Sequence, residues 1–161
     1  MDYETLYADL TRVLEDLAEK SRTVPVIVEG ERDRKALLAL GIDGDVLALN
    51  QGTSLFALCE SIARRHREAV ILTDWDVRGG RLARQLRDGL AANGVRFDVD
   101  LRARLTTLCR REIKDVESLH LYVARLEEML ETRNRSKPSK RYYAGKAQRW
   151  AMRREKPGAP P

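Results

Sequence analysis

The chain has 161 residues, 43% hydrophobic and 34% charged, which fits one domain with a sizeable core and leaves little length for a second. No apolar run approaches the roughly 20 residues of a membrane helix, and the opening MDYETLYADL is acidic; the expectation is a cytoplasmic protein with neither a span nor a secretory signal. The net charge of +5 hides an asymmetry: residues 132–161 hold ten Lys or Arg, running from Arg133 to Lys156, against one acid, a net +9. Residues 1–131 hold 20 basic and 24 acidic side chains, a net −4. An acidic body with a basic tail is expected where one part holds divalent metal and another meets a polyanion. Cys59 and Cys109 lie far apart among apolar neighbours without metal-type spacing, which predicts buried free thiols.

Leu6, Leu10, Val13, Leu14 and Leu17 recur at helical spacing and predict an amphipathic helix over residues 3–20. VPVIV predicts a strand at 24–28 that ends at Glu29 and Gly30, and ERDRKALLAL predicts a helix closed by Gly41. DVLALN predicts a second strand, followed by a turn at Gly52 and Thr53 and a helix from about 54 to 67. EAVILTD predicts a third strand, with a helix over 78–93 stopped by Gly94; VRFDVD predicts a fourth, followed by helical segments around 101–108 and 116–131.

Strands alternating with helices imply a mostly parallel four-stranded sheet flanked by helices, a Rossmann-like α/β fold. An N-terminal helix (1–22) precedes the core (23–131), and a basic, partly disordered tail (132–161) follows it. In such sheets ligands bind beyond the carboxyl ends of the strands. The chain places acids there, Glu29 after the first strand and Asp74 and Asp76 after the third.

If the third strand stays extended through ILTDWD, Asp74 and Asp76 project to one side and reach one spot while Trp75 points elsewhere. Two carboxylates so placed repel each other unless a cation lies between them, and magnesium is commonly held by one or two carboxylates with phosphate completing its shell. Glu29, beside the flexible Gly30, suits general acid or base work if its environment raises its pKa. Asp33 stands one helical turn further on, placed to cap that turn or to pair with Arg32 or Arg34. Tyr142, Tyr143 and Trp150 lie among the tail cations, a pattern suited to stacking on bases.

Together, VIVEGERD and ILTDWDVRGG resemble the two signatures of the Toprim domain, over roughly residues 24–121. LNQGTSL, with Asn50, Gly52 and Thr53, looks like the Asn-Gly-Ser/Thr loop of the small ribosomal RNA maturation nucleases of that superfamily. IKDVESLHLYV looks like their Gly-Val-Glu segment, with Glu117 at the matching position and Asp115 where they carry Gly. The resemblance implies a Toprim fold, Glu29 as general acid or base, and a metal site of Asp74 and Asp76 together with Glu29 for Mg2+, with Mn2+ as the alternative. Gly79 would allow the backbone turn, and the helix opening there would offer amides to a phosphate. Gly30, Asn50, Gly52, Arg78, Arg81 and Lys114 are the implied substrate contacts, with Asp33 and Glu117 in supporting roles. The chain departs from those nucleases in having no substantial second domain.

The leading expectation is a magnesium-dependent phosphodiesterase acting on nucleic acid, structured RNA before DNA, through the core site and the basic tail. The alternative is a nucleic-acid-binding module without turnover. TDWDV also resembles the haloacid-dehalogenase phosphatase signature, but that family carries it near the start of a longer core.

Overall fold

The computed structural model describes residues 1–49 and 52–136. Asn50 and the tail residues beyond Ser136, among them Lys156 and the three tail aromatics, lie outside the described residues. The chain divides into two compact units, Met1–Leu126 and Glu127–Pro161.

Helix α1 (Tyr3–Ser21) starts at Asp2, whose side chain accepts from the Thr5 amide, and buries Leu10, Val13, Leu14 and Leu17. The chain then alternates: β1 (Val26–Val28), α2 (Glu31–Ala39), β2 (Val46–Ala48), α3 (Leu55–Arg65), β3 (Glu68–Ile71), α4 (Val77–Ala92) and β4 (Arg96–Asp98). Helices α5 (Asp100–Cys109) and α6 (Leu119–Ser136) follow. The strands stand in the order β2-β1-β3-β4, and all three pairings are parallel. The sheet is therefore wholly parallel, in a Rossmann-like α/β fold.

The pleat sorts the strand residues between two cores. Val26, Val28, Val70 and Leu72 join α1, α2, α5 and the first two turns of α6 in one cluster. Ile27, Ala69 and Ile71 face the other way and meet Cys59 and Ile62 of α3 and Ala83, Leu86 and Leu90 of α4. Strands buried on both faces explain why VIV and AVIL read as unbroken apolar runs rather than alternating ones. Cys59 and Cys109 are both buried free thiols, and Gly89 lets α4 approach α3, since a Cβ there would come within 2.8 Å of the Cys59 sulfur. Lys20 at the end of α1 bridges Asp98 and Glu68, the latter at 2.9 Å, and so ties that helix to β3 and β4. In the second unit, the described end of α6 carries an exposed Arg135–Glu131 pair at 3.4 Å.

Strand β3 stops at Ile71, three residues before Asp74. The strand alternation expected to aim Asp74 and Asp76 together is therefore absent: both acids lie on the turn from β3 into α4. Asp76 is the N-cap of α4 and takes the Gly79 amide at 2.6 Å. The turn closes on itself where the buried Thr73 hydroxyl donates to the Gly79 carbonyl at 2.7 Å. A Cβ on Gly79 would lie 1.8 Å from the Asp74 carbonyl oxygen, so this position requires glycine for space. At Gly80, one residue on, a Cβ meets nothing within 4 Å.

The two glycines should consequently behave oppositely. Gly79→Ala must force the turn apart and is expected to cost about 3 kcal/mol or more; Gly80→Ala is expected to stabilise by up to about 1 kcal/mol through helix propensity. Urea denaturation of the two variants measures both, and equal effects would contradict the close approach at Gly79.

Candidate functional site

The first turn of α2, the β3–α4 turn and the segment before α6 meet beyond the carboxyl ends of β1 and β3. Glu29 follows β1 directly and its Oε1 accepts from the Asp74 amide at 3.1 Å, joining the two acid-bearing turns. Asp33, only 6% exposed, accepts from the Gly30 amide at 3.0 Å and so caps α2; the Glu117 amide is a further donor to the same carboxylate. Of its two sequence-based roles Asp33 therefore takes the cap, while Arg34 pairs with Glu31 and Arg32 reaches Glu117 at 3.7 Å. Asp74 Oδ1 accepts from the Val116 amide at 2.9 Å.

Trp75 now has a place. Its indole N–H donates to the Ile113 carbonyl at 2.6 Å, and its amide donates to the Lys114 carbonyl at 3.0 Å. Its ring packs against the core cluster of α1, α5 and α6. Trp75 is thus a latch between the two turns, and its polar edge is satisfied by protein.

The electrostatics of these groups follow from crowding. Burial pushes the Asp74 carboxyl up to about 7, with Asp33, Glu29 and Asp115 adding repulsion against the Val116 hydrogen bond. Burial also raises Glu29, with Asp76 and Asp33 adding to the shift while Arg78 opposes it. Asp33 is raised for the same first reason, its like-charged neighbours being Glu117 and Asp115. One cation stands behind the cluster. Arg102, in the first turn of α5, donates from Nε to the Thr73 carbonyl at 2.9 Å and from Nη2 to the Asp74 carbonyl at 2.6 Å.

Among the described residues, no group of three or more His, Cys, Asp or Glu stands ready to hold a metal ion. The donor chemistry still suits a hard cation: the side chains are all oxygen donors, partly desolvated and mutually repelling, and two carboxylates with water and phosphate suffice for magnesium. The expected phosphate contact at the start of α4 is altered, because the Gly79 amide is taken by Asp76. Arg78, Arg81 and Lys114 are exposed, Arg78 being near enough to Glu29 to oppose its shift. Gly52 is exposed and takes φ +76°, a turn conformation that favours glycine.

Arg102 and Thr73 were not singled out from sequence, and Asp115 was noted only as standing where the maturation nucleases carry Gly. Asp115 carries no motif of its own, and Thr73 reads as the last residue of an apolar run. Arg102 had one available signal: it sits in a helix's first turn, where the macrodipole disfavours a cation, so a specific partner is required.

A proton held on Asp74 above its ordinary range ties stability to pH. The folded carboxyl is raised above its unfolded value of 3.8, so the folded state is favoured below that value and loses ground as pH rises toward about 7. With EDTA present, the parent protein is expected to lose stability between pH 4 and 7 more steeply than Asp74→Asn, which keeps an acceptor for Val116 but does not ionise. Urea denaturation across that range checks it; parallel profiles would contradict the shift.

The chain is 44% identical over 130 residues to a UPF0292 protein of Methanosarcina barkeri, covering 78% of this chain and 90% of the relative. It is 40% identical over 129 residues to one of Methanosarcina acetivorans, covering 78% and 89%, and 37% identical over 117 residues to one of Thermococcus gammatolerans, covering 71% and 86%. A solved structure of a protein from Aquifex aeolicus superposes with a TM-score of 0.59 at 24% identity, over 66% of this chain and 94% of that one, a likeness of fold alone. No family model matches. These findings overturn the expected Toprim membership, which rested on two short motifs of acids and glycines at strand ends, where any parallel α/β sheet builds its ligand site. The relatives share a name that specifies no activity, and on their identity and coverage the chain belongs to the UPF0292 family.

Proposed function

We propose that the protein is a divalent-cation-dependent phosphodiesterase acting on nucleic acid, structured RNA before DNA. The observation that carries the reading is the joining of Glu29 to the Asp74 turn, which crowds half-buried carboxylates where α/β sheets bind ligands. Glu29 and Asp74 would hold Mg2+ or Mn2+, with Asp76 beside them. Such an ion, when bound, supplies charge stabilisation at a phosphate oxygen.

The chain's own residues supply the rest. Glu29 has one carboxylate oxygen on the Asp74 amide, which leaves the other to meet the cation or to exchange a proton with an attacking water or a leaving hydroxyl. Arg78, Arg81 and Lys114 are exposed cations that can meet the phosphate backbone. The +9 tail adds sequence-independent attraction to a polyanion.

Binding without turnover is the second reading, favoured by one observation: Glu29, Asp74 and Asp76 each already accept from a backbone amide, and no three-acid group stands ready for metal among the described residues.

Labelled structured RNAs incubated with Mg2+ are expected to be cleaved by the parent protein. Glu29→Gln and Asp74→Asn should each lower the rate by 100-fold or more, in the range of lost acid–base catalysis at about 10² to 10⁴. Cleavage that persists in both variants rejects the assignment; binding without cleavage in every condition favours the second reading. Removing residues 137–161 is expected to weaken RNA binding at low salt and flatten its salt dependence, because eight Lys or Arg leave with one Glu. A filter-binding series across salt concentrations measures both effects, and an unchanged slope would remove the tail from the interface.

A further inference from the structure

We infer that Arg102 is a positioning residue for the cation site, holding Asp74 in place through the main chain of the turn that carries it. The inference rests on the reading of Glu29 and Asp74 as cation ligands.

Arg102 belongs to α5, an element that contributes no other group to the site. Its guanidinium is partly buried, and it spends its fork on two consecutive carbonyl oxygens, Thr73 at 2.9 Å and Asp74 at 2.6 Å. A planar fork with separated N–H groups can span two neighbouring carbonyls, whereas an ammonium is a point donor. The place is an unfavourable one for a cation, being both desolvated and at the positive end of a helix dipole. The two carbonyls offset that cost, together with the fields of Asp74, Glu29 and Asp76.

The carbonyls it holds lie at the tightest point of the turn. The Asp74 oxygen is the atom against which Gly79 closes, and Thr73 is bonded through its hydroxyl to the Gly79 carbonyl. The Asp74 amide and carboxylate are meanwhile held by Glu29 and Val116. With its carbonyl held by Arg102, the orientation of the Asp74 side chain is set from three elements. Arg102 donates to backbone oxygens, so it acts through Asp74 and is not a ligand-contacting group.

The test uses the full chain, with Mn2+ as probe, followed by its paramagnetic resonance signal. Arg102→Lys retains the charge but cannot hold both carbonyls. It is expected to fold and to bind Mn2+ about tenfold or more weakly than the parent, the range seen when residues that orient ligands are changed. A folded Arg102→Lys that binds Mn2+ as tightly as the parent overturns the inference, whatever its melting temperature. If that variant does not fold, Arg102→Gln, which keeps one amide donor, is measured with the same two outcomes; failure of both to fold makes the role purely structural and also overturns it. A parent protein that binds no Mn2+ removes the underlying cation site, a result distinct from parent and variant binding equally.

Discussion

Asp74 is held at its amide, its carbonyl and one carboxylate oxygen. Its amide goes to Glu29, its carbonyl receives Arg102, and Oδ1 receives the Val116 amide. Three separate stretches of chain thus converge on one residue: the end of β1, the start of α5 and the segment before α6. Gly79 is the steric counterpart, because only a residue without Cβ lets α4 begin so close to the Asp74 carbonyl. The site exists in its observed form because this turn is held from all sides.

The same arrangement sets a tension between stability and function. Carboxylates that crowd together while partly desolvated disfavour their own ionised forms, as the shifts at Asp74, Glu29 and Asp33 show. Backbone amides at Gly30, Asp74, Gly79 and Val116 take up part of that burden by donating to the carboxylates. An all-oxygen cluster in this state has a strong electrostatic incentive to bind a cation, and that incentive underlies the proposed chemistry. The surrounding scaffold is conventional: a doubly covered parallel sheet whose two cores hold the carboxyl ends of β1 and β3 at one rim.

Much of the architecture was legible because its signals are local. The four strands and their helices follow from apolar runs and from glycines that end helices, such as Gly41 and Gly94, both at positive φ. The boundaries drifted by a few residues at helix and strand ends; the run AVILT extends beyond β3 because Leu72 and Thr73 remain buried in the turn after the strand ends. That overrun misled the reading of Asp74 and Asp76, since alternation was applied to residues that no longer belong to a strand. The family was misread for a related reason, short motifs of acid and glycine being common to many α/β rims.

The sequence by itself determined the order of elements, the parallel sheet, the burial of both cysteines and the gathering of Glu29, Asp74 and Asp76 at one end of it. These depend on hydrophobic period and on turn residues, which act over a few positions. Only the tertiary structure decided that Trp75 latches the turn to Ile113 and Lys114, and that Arg102 and Val116 hold Asp74. Those contacts join residues 28 to 42 positions apart, and no local pattern specifies which distant donor will meet a buried polar atom. Packing of the two cores brings them together, and the requirement to satisfy buried polar groups then selects the partners.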